Sequence, residues 1–328
     1  MNKKFLISIL CVMILPVVAA ASGTAGAEYL KIKLGGRALA IGGAYAAIGD
    51  DIESLSYNPA GLTFIKQKQF HYSHMLYLDG ITVSHISYGQ VLDTSFIEGN
   101  VGVSLTFNWD TLIDNEDAVD DPVSFQSFVL SGTYANKLSY FFPSEIADMI
   151  NIGLTVKVIN ETIGYNQGST FGFDAGLQFV PPGNGFSAGV SIINLGMPIR
   201  LIRGIVEDGD PSLTEAPLPL TLRIGAGYKL VIDKDNTTRV AFDYIQDFAD
   251  YPQFAAGLEH SLSGLIHFRL GYNTFADTRS PAYASAGVGI TVSQFEVAIA
   301  LSYAYRLMIW GTTNAPEQDH TGSIIFKF

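Results

Sequence analysis

From about Lys68 to Phe328 the chain breaks into segments of about ten to thirteen residues in which apolar and polar side chains alternate, separated by turn-forming residues. A period of two is the strand period. One segment sets Phe295, Val297, Ile299, Leu301, Tyr303 and Tyr305 on one face against Gln294, Glu296, Ala298, Ala300, Ser302, Ala304 and Arg306 on the other. Val101, Val103, Leu105, Phe107 and Trp109 oppose Asn100, Gly102, Ser104, Thr106 and Asn108 in the same way. The pattern predicts fourteen strands, at 68–78, 80–90, 100–109, 123–134, 150–161, 170–180, 184–195, 218–230, 237–248, 252–262, 264–273, 282–292, 294–306 and 319–328.

Charge falls on one parity. Lys157, Asp174, Arg223, Lys229, Arg239, Asp243, Glu259, Arg269, Glu296 and Arg306 all take the polar side of their own strands. Parity alone fits a soluble sandwich as well as a barrel, but strand length separates them. Soluble strands cluster near five or six residues, whereas a tilted membrane strand needs about nine to eleven. In a barrel these ten charges face the lumen, where they line the wall or pair with one another and with Arg37 and Glu53 upstream.

The connections also alternate. Tight turns follow even-numbered strands, at Pro181-Pro182-Gly183, Asp233 to Asn236, Ser261 to Gly264 and Ser293-Gln294. The long connections 110–122, 196–217, 274–281 and 307–318 follow odd-numbered ones. Short periplasmic turns with longer external loops are the habit of outer-membrane barrels, and an even strand count puts the periplasmic start and end of the wall on one side. Three connections break the pattern: 91–99 and 135–149 are long on the short side, the second with a short helix expected from Ser144 to Ile150, and Asp79-Gly80 is a hairpin turn on the long side.

Upstream, residues 28–67 do not alternate; they are rich in Gly and Ala. Asp50 or Asp51 is placed to cap a single helical turn that Pro59 ends. Such an irregular segment cannot face lipid, because its backbone groups would go unsatisfied, but it can fill a polar lumen. Before it, Lys3 and Lys4, an apolar run from Phe5 to Val18 and the small residues Ala19, Ala20 and Ala21 read as a cleavable secretory signal over 1–21. A second small-x-small site at Ala25-Gly26-Ala27 leaves a cut as late as 27 open.

Composition narrows the function. The only cysteine, Cys11, lies in the signal segment, so disulfides, thiolate metal sites and cysteine nucleophiles are excluded from the mature chain. The formal charge of −12, or −14 without Lys3 and Lys4, argues against a nucleic-acid partner. Charged residues make up only 15 % of the chain against about 25 % in ordinary soluble domains. With no long apolar run after the signal, a closed sheet is the remaining way to span a bilayer.

The last strand ends Gly322-Ser323-Ile324-Ile325-Phe326-Lys327-Phe328. Ile324, Phe326 and the terminal Phe328 resemble the C-terminal signature by which the barrel-assembly machinery recognises its clients. The stretch containing Gly35-Gly36-Arg37, Gly42-Gly43, an acid pair and Asn58-Pro59-Ala60-Gly61 resembles the N-terminus of the PorV/PorQ proteins and, more distantly, of the FadL long-chain fatty-acid channels. The resemblance covers about 30 residues, with strand count supporting it over the rest. It implies an all-β, 14-stranded antiparallel transmembrane β-barrel (68–328) with an N-terminal hatch or plug (28–67) in the lumen, integral to the bacterial outer membrane, both termini periplasmic. Two activities follow from it: a passive conduit for small hydrophobic molecules, as in FadL-like proteins, or a component of type IX secretion that handles cargo signals, as in PorV-like ones. This chain lacks the long apolar external loops of the FadL capture groove.

The partners expected are membrane lipids and lipopolysaccharide, the assembly machinery, and hydrophobic ligands or secretion-system subunits. No enzyme is expected: there is no Gly-x-Ser-x-Gly, and no Ser-His pair stands out. No cofactor or metal is expected either. The six histidines, 71, 74, 85, 260, 267 and 320, sit in no ligand motif. The acidic loop Asp110, Asp114, Glu116, Asp117, Asp120 and Asp121 does not match the EF-hand spacing and reads as a solvated loop bridged to lipopolysaccharide by divalent ions. Tyr77, Trp109, Tyr228, Tyr272 and Tyr305 fit interfacial girdles or simple strand propensity equally.

Overall fold

Alternating side chains give a strand two unlike faces, and the fold depends on which face meets which medium. The computed structural model describes residues 25–77, 81–94, 97–112, 123–203, 213–277, 280–311 and 318–328. The expected signal segment and most of the acidic loop lie outside these. Among the described residues sixteen strands occur: β1 (Gln69–Tyr77), β2 (Ile81–Asp93), β3 (Glu98–Leu112), β4 (Val123–Lys137), β5 (Ile150–Ile163), β6 (Asn166–Phe179), β7 (Phe186–Gly196), β8 (Ile199–Arg203), β9 (Leu213–Ala216), β10 (Thr221–Val231), β11 (Thr237–Asp247), β12 (Gln253–Leu262), β13 (Ile266–Phe275), β14 (Ala282–Gln294), β15 (Val297–Trp310) and β16 (Gln318–Lys327).

Fourteen of them form the wall. Each pairs antiparallel with its neighbours, β7 pairs with β10, and β1 pairs with β16, so the sheet closes on itself. Lys68 and Phe328 exchange backbone hydrogen bonds of 3.1 and 3.0 Å, so the wall begins and ends at one rim. β8 and β9 make a short hairpin in the β7–β10 connection, and β8 pairs briefly with the top of β6.

The apolar faces point outward and the polar faces inward, the reverse of a water-soluble sheet. On β6, Phe171 and Leu177 are 51 % and 49 % exposed, while Asp174 and Gln178 are 2 % and 0 % exposed. Leu130, Leu154, Val156, Leu270 and Leu301 continue the outward band on other strands. A closed sheet leaves no unpaired edge, so this band can sit in hydrocarbon with every strand hydrogen bond satisfied. Among the described residues no helix is long and apolar enough to cross a membrane.

All fourteen expected wall strands are present, with two kinds of difference. Pairing runs past the apolar band, so β3 and β15 reach residues 112 and 310. The β14–β15 turn is at Phe295 and Glu296, because Gln294 pairs with Val297 and Phe295 supplies the positive φ of 57°. Glu296 is therefore an exposed turn residue, not a lumen-facing charge. The turn was expected at Ser293-Gln294, two residues earlier; it contains no glycine, asparagine or proline to fix its place in the sequence. The long 138–149 connection holds two single 3-10 turns, Leu138–Tyr140 and Ala147–Met149, where one short helix was expected.

One irregularity marks the wall itself. Phe173 faces Leu195 but Ala175 faces Ile192, so Ile193 and Asn194 of β7 oppose Asp174 alone. Asn194, at φ 61°, donates its backbone N–H to Asp174 Oδ1 at 2.8 Å, the arrangement of a β-bulge.

Candidate functional site

Residues 25–65 pack against inward-facing residues of the strands and are mostly buried or half-buried, with Glu28 exposed. The segment opens with a 3-10 turn, Glu28–Lys31, and continues through α1 (Gly36–Ala40) to two later 3-10 turns, Ile52–Ser56 and Pro59–Phe64. Asp51 caps the first of these turns by accepting from the Glu53 amide at 3.0 Å. Asn58 caps the second, and Pro59 opens that turn instead of ending the one before it. Gly35 has φ +88° and packs directly on the Glu53 carboxylate, so no side chain fits there.

The wall is moulded to this segment by glycine. Four inward-facing glycine pairs stand opposite one another across neighbouring strands: Gly89 with Gly102, Gly153 with Gly176, Gly189 with Gly225, and Gly257 with Gly271. Each pair bares a patch of backbone, and a particular part of the segment fills it. Ile52 and Leu55 lie on the first pair, Asn58-Pro59-Ala60 on the second, Ala46-Ala47 on the third and Ile41-Gly42 on the fourth. A Cβ added at these positions would strike the segment's atoms, as at Gly257, where it would come within 2.7 Å of the Ile41 oxygen.

Polar contacts then fix the register. Asn58 Nδ2 donates to the Ala46 carbonyl at 2.8 Å and to the Leu177 carbonyl of the wall at 2.9 Å. Gln178 donates to the carbonyls of Ala46 and Gly49 at 3.1 Å. The amides of Tyr45 and Ala46 both donate to Asp243 at 2.9 Å.

Arg37 is the centre of a buried ion network. Its guanidinium meets Asp50 at 2.6 Å, Asp51 at 2.8 Å and Tyr45 Oη at 2.9 Å, and it forks onto Glu259 of β12 at 2.8 and 2.9 Å. Arg269 also holds Glu259 at 2.8 Å, and Arg239 joins Asp50 to Glu259 at 2.8 and 3.2 Å. Three guanidiniums thus balance three carboxylates, as buried charge requires. Burial works against the Asp50 charge, yet Arg239 and Arg37 hold its pKa down at about 2. Glu53 lacks such a partner. Burial first, and the Asp51 charge second, push its carboxyl up to about 7. It accepts from the Ala38 amide at 2.9 Å and contacts Ser323 of β16 at 3.3 Å and His71 of β1 at 3.7 Å. It therefore bridges the first and last strands.

Open space remains at both ends. Toward the long loops, a pocket of about 370 Å³ is walled by Tyr29, Ile32, Tyr77, Phe125, Phe275 and Tyr283. It shares Tyr29, Lys31, Ile32, Lys33 and Gln253 with a smaller polar chamber of about 80 Å³ lined by Ser104, Thr106, Ser131 and Thr221. Toward the short turns, a second pocket of about 370 Å³ is lined by Ile48, Phe64, Pro181, Phe186 and Tyr228. A polar cleft of about 220 Å³ beside it reaches Arg37 and Glu259.

The residues singled out in the sequence fall into several settings. Gly36 donates its amide to Ser323 Oγ at 3.2 Å, and Gly42, Gly43 and Gly61 lie buried within the segment. Lys157 pairs with Asp174 at 2.8 Å, Arg223 with Asp243 at 3.9 Å, and Arg306 with Asp319. Lys229 keeps inward parity but is exposed at the short-turn rim. Ile324, Phe326 and Phe328 stand on the outward side of β16, whereas Ile325 points inward onto Ile52 and Leu55.

Sequence reasoning passed over the glycine pairs, the buried His71–His85 contact with ring centroids 5.6 Å apart, and Lys33. The glycine count of 33 was the available signal for the first. Among the described residues no group of three or more His, Cys, Asp or Glu is arranged to hold a metal ion.

These features define a closed, fourteen-stranded antiparallel β-barrel with an outward-facing apolar band. Its fold is similar to that of the Pseudomonas putida toluene transporter TodX, with a TM-score of 0.58 at 12 % identity, covering 94 % of this chain and 99 % of that one. A TodX deltaS2S3 mutant, described as a monoaromatic hydrocarbon channel, matches with a TM-score of 0.59 at 12 % identity over 89 % and 98 % of the two chains. At this identity the likeness is one of fold. No protein-family model matches the chain, and no curated protein does.

Proposed function

We propose that this protein is an outer-membrane conduit for small hydrophobic molecules, with residues 28–67 as a fixed plug and the long-loop end facing outward. The observation that carries this reading is the aromatic pocket resting on the plug at the long-loop end. A concave apolar site with a few convergent polar groups is the usual form of a small-molecule site. The second apolar pocket, beyond the plug, gives such a molecule a place to arrive. The lipid-facing band and the shared fold with a toluene transporter support both the location and the ligand class.

The test is uptake of toluene into vesicles whose outer leaflet is lipopolysaccharide, a barrier that hydrophobic solutes cross slowly unaided. Purified protein is expected to raise the rate, and Ile32→Glu, which puts a charge in the pocket, is expected to reduce it. A rate equal to that of protein-free vesicles sinks the conduit reading.

A further inference from the structure

Among the described residues Lys33 is the buried cation that no ion pair claims. Its side chain is 8 % exposed, it borders both the aromatic pocket and the polar chamber, and no carboxylate stands within 4.0 Å of its ammonium among the described residues. The cations around it are taken: Lys157 by Asp174, Arg223 by Asp243 and Arg306 by Asp319. The acids at the rim, Glu28 and Asp250, together with the deeper Asp247, converge on Lys31 at 2.8, 4.0 and 3.0 Å. Glu161 accepts from the Ala27 amide at 3.3 Å and lines neither space. A buried ammonium without a counter-ion is costly.

Around Lys33 the chamber offers hydroxyls from Ser104, Thr106, Ser131 and Thr221, while the pocket offers the rings of Tyr29, Phe125, Phe275 and Tyr283. We propose that the two spaces, joined at Lys33, form one binding site for a compact aromatic monocarboxylate, its ring in the aromatic pocket and its carboxylate on the Lys33 ammonium. This rests on the reading of the aromatic pocket as a ligand site and narrows its ligand from hydrophobic molecules in general. One negative charge is what the surroundings accept. The paired carboxylates nearby and the acids at the rim disfavour a dianion. Burial pushes the Lys33 ammonium well below the usual lysine range, Arg306 and Arg223 acting with it and the more distant Asp319 and Asp243 against it, and a carboxylate directly beside it restores the proton.

The experiment is calorimetric titration of the full chain in nanodiscs with benzoate, toluene and inorganic phosphate. Benzoate is expected to bind more tightly than toluene, and phosphate weakly. Lys33→Met is expected to weaken benzoate by about tenfold or more, the worth of one charge-assisted hydrogen bond, while toluene binding holds. Unchanged benzoate affinity in Lys33→Met overturns the proposal, as does phosphate binding as tightly as benzoate, which marks a general anion site. Toluene binding without benzoate binding defeats this inference alone; binding of neither defeats the ligand-site reading beneath it. Where Lys33→Met does not fold, dipolar coupling between ¹³C-carboxyl benzoate and ¹⁵N-labelled Lys33 in the unaltered protein decides, and its absence overturns the proposal.

Discussion

Gly153 and Gly176 face each other across β5 and β6, and the Asn58-Pro59 peptide occupies the space where two side chains would have stood. The Asn-Pro-Ala-Gly sequence is thus a shape that only a bare stretch of inner wall receives. Replacing Gly176 with valine is expected to cost about 1–3 kcal/mol through overpacking, or to unseat the turn. Limited proteolysis of residues 50–67 in the folded barrel reads the outcome: protection equal to the unaltered protein counts against the fitted seat.

Arg37 is the keystone of the charge balance. Arg37→Met strips Asp51 of its guanidinium and leaves three carboxylates to two guanidiniums, those of Arg239 and Arg269, and should destabilise the folded protein by about 3–5 kcal/mol. Adding Glu259→Gln should restore part of that loss, because the worst of the penalty is the uncompensated charge. Urea unfolding of the single and double variants in vesicles measures both, and strict additivity of the two changes contradicts direct coupling.

Glu53 sets a pH dependence. Its pKa is raised on folding from the ordinary glutamate value to about 7, so the folded protein holds this proton more tightly than the unfolded chain. The contribution is full below about pH 4.5, the ordinary value, and is lost as pH rises through about 7. Stability of the folded N-terminal segment should therefore fall between about pH 5 and 8, a slope that Glu53→Gln removes. Protease resistance of the segment across that range is the readout, and an unchanged slope in the variant refutes the assignment.

The outward band makes its own demand. Leu130 lies near the middle of β4 and is 52 % exposed, whereas its neighbour Ser131 points inward. Leu130→Arg should cost about 2–4 kcal/mol in a bilayer, against little for Ser131→Ala. Equal effects on folding into vesicles would show that lipid does not wet that face.

The wall was legible because each strand carries its own two-faced pattern. On β6 the run Phe171, Phe173, Leu177 and Phe179 against Asp174 and Gln178 is complete within one segment. The positions that shape the interior were less so. Gly189 and Gly225 matter as a pair, and their pairing depends on the β7–β10 connection between them, which no local pattern reports. The same holds for Arg37 and Glu259, each visible alone but joined only by the closed ring. Glu296 misled because its parity continued that of β15 by chance, while the turn beside it used Phe295 in a conformation that sequence seldom signals.

The glycine seats also bear on how the chain can change over time. A wall cast around one contour will reject the corresponding stretch of a distant cousin, however alike the two barrels look from outside. Exchanging lumen inserts between such proteins should fail unless the bare patches travel with them. Inheritance of the insert and of the eight paired glycine positions is therefore tied together, as a key is tied to its lock.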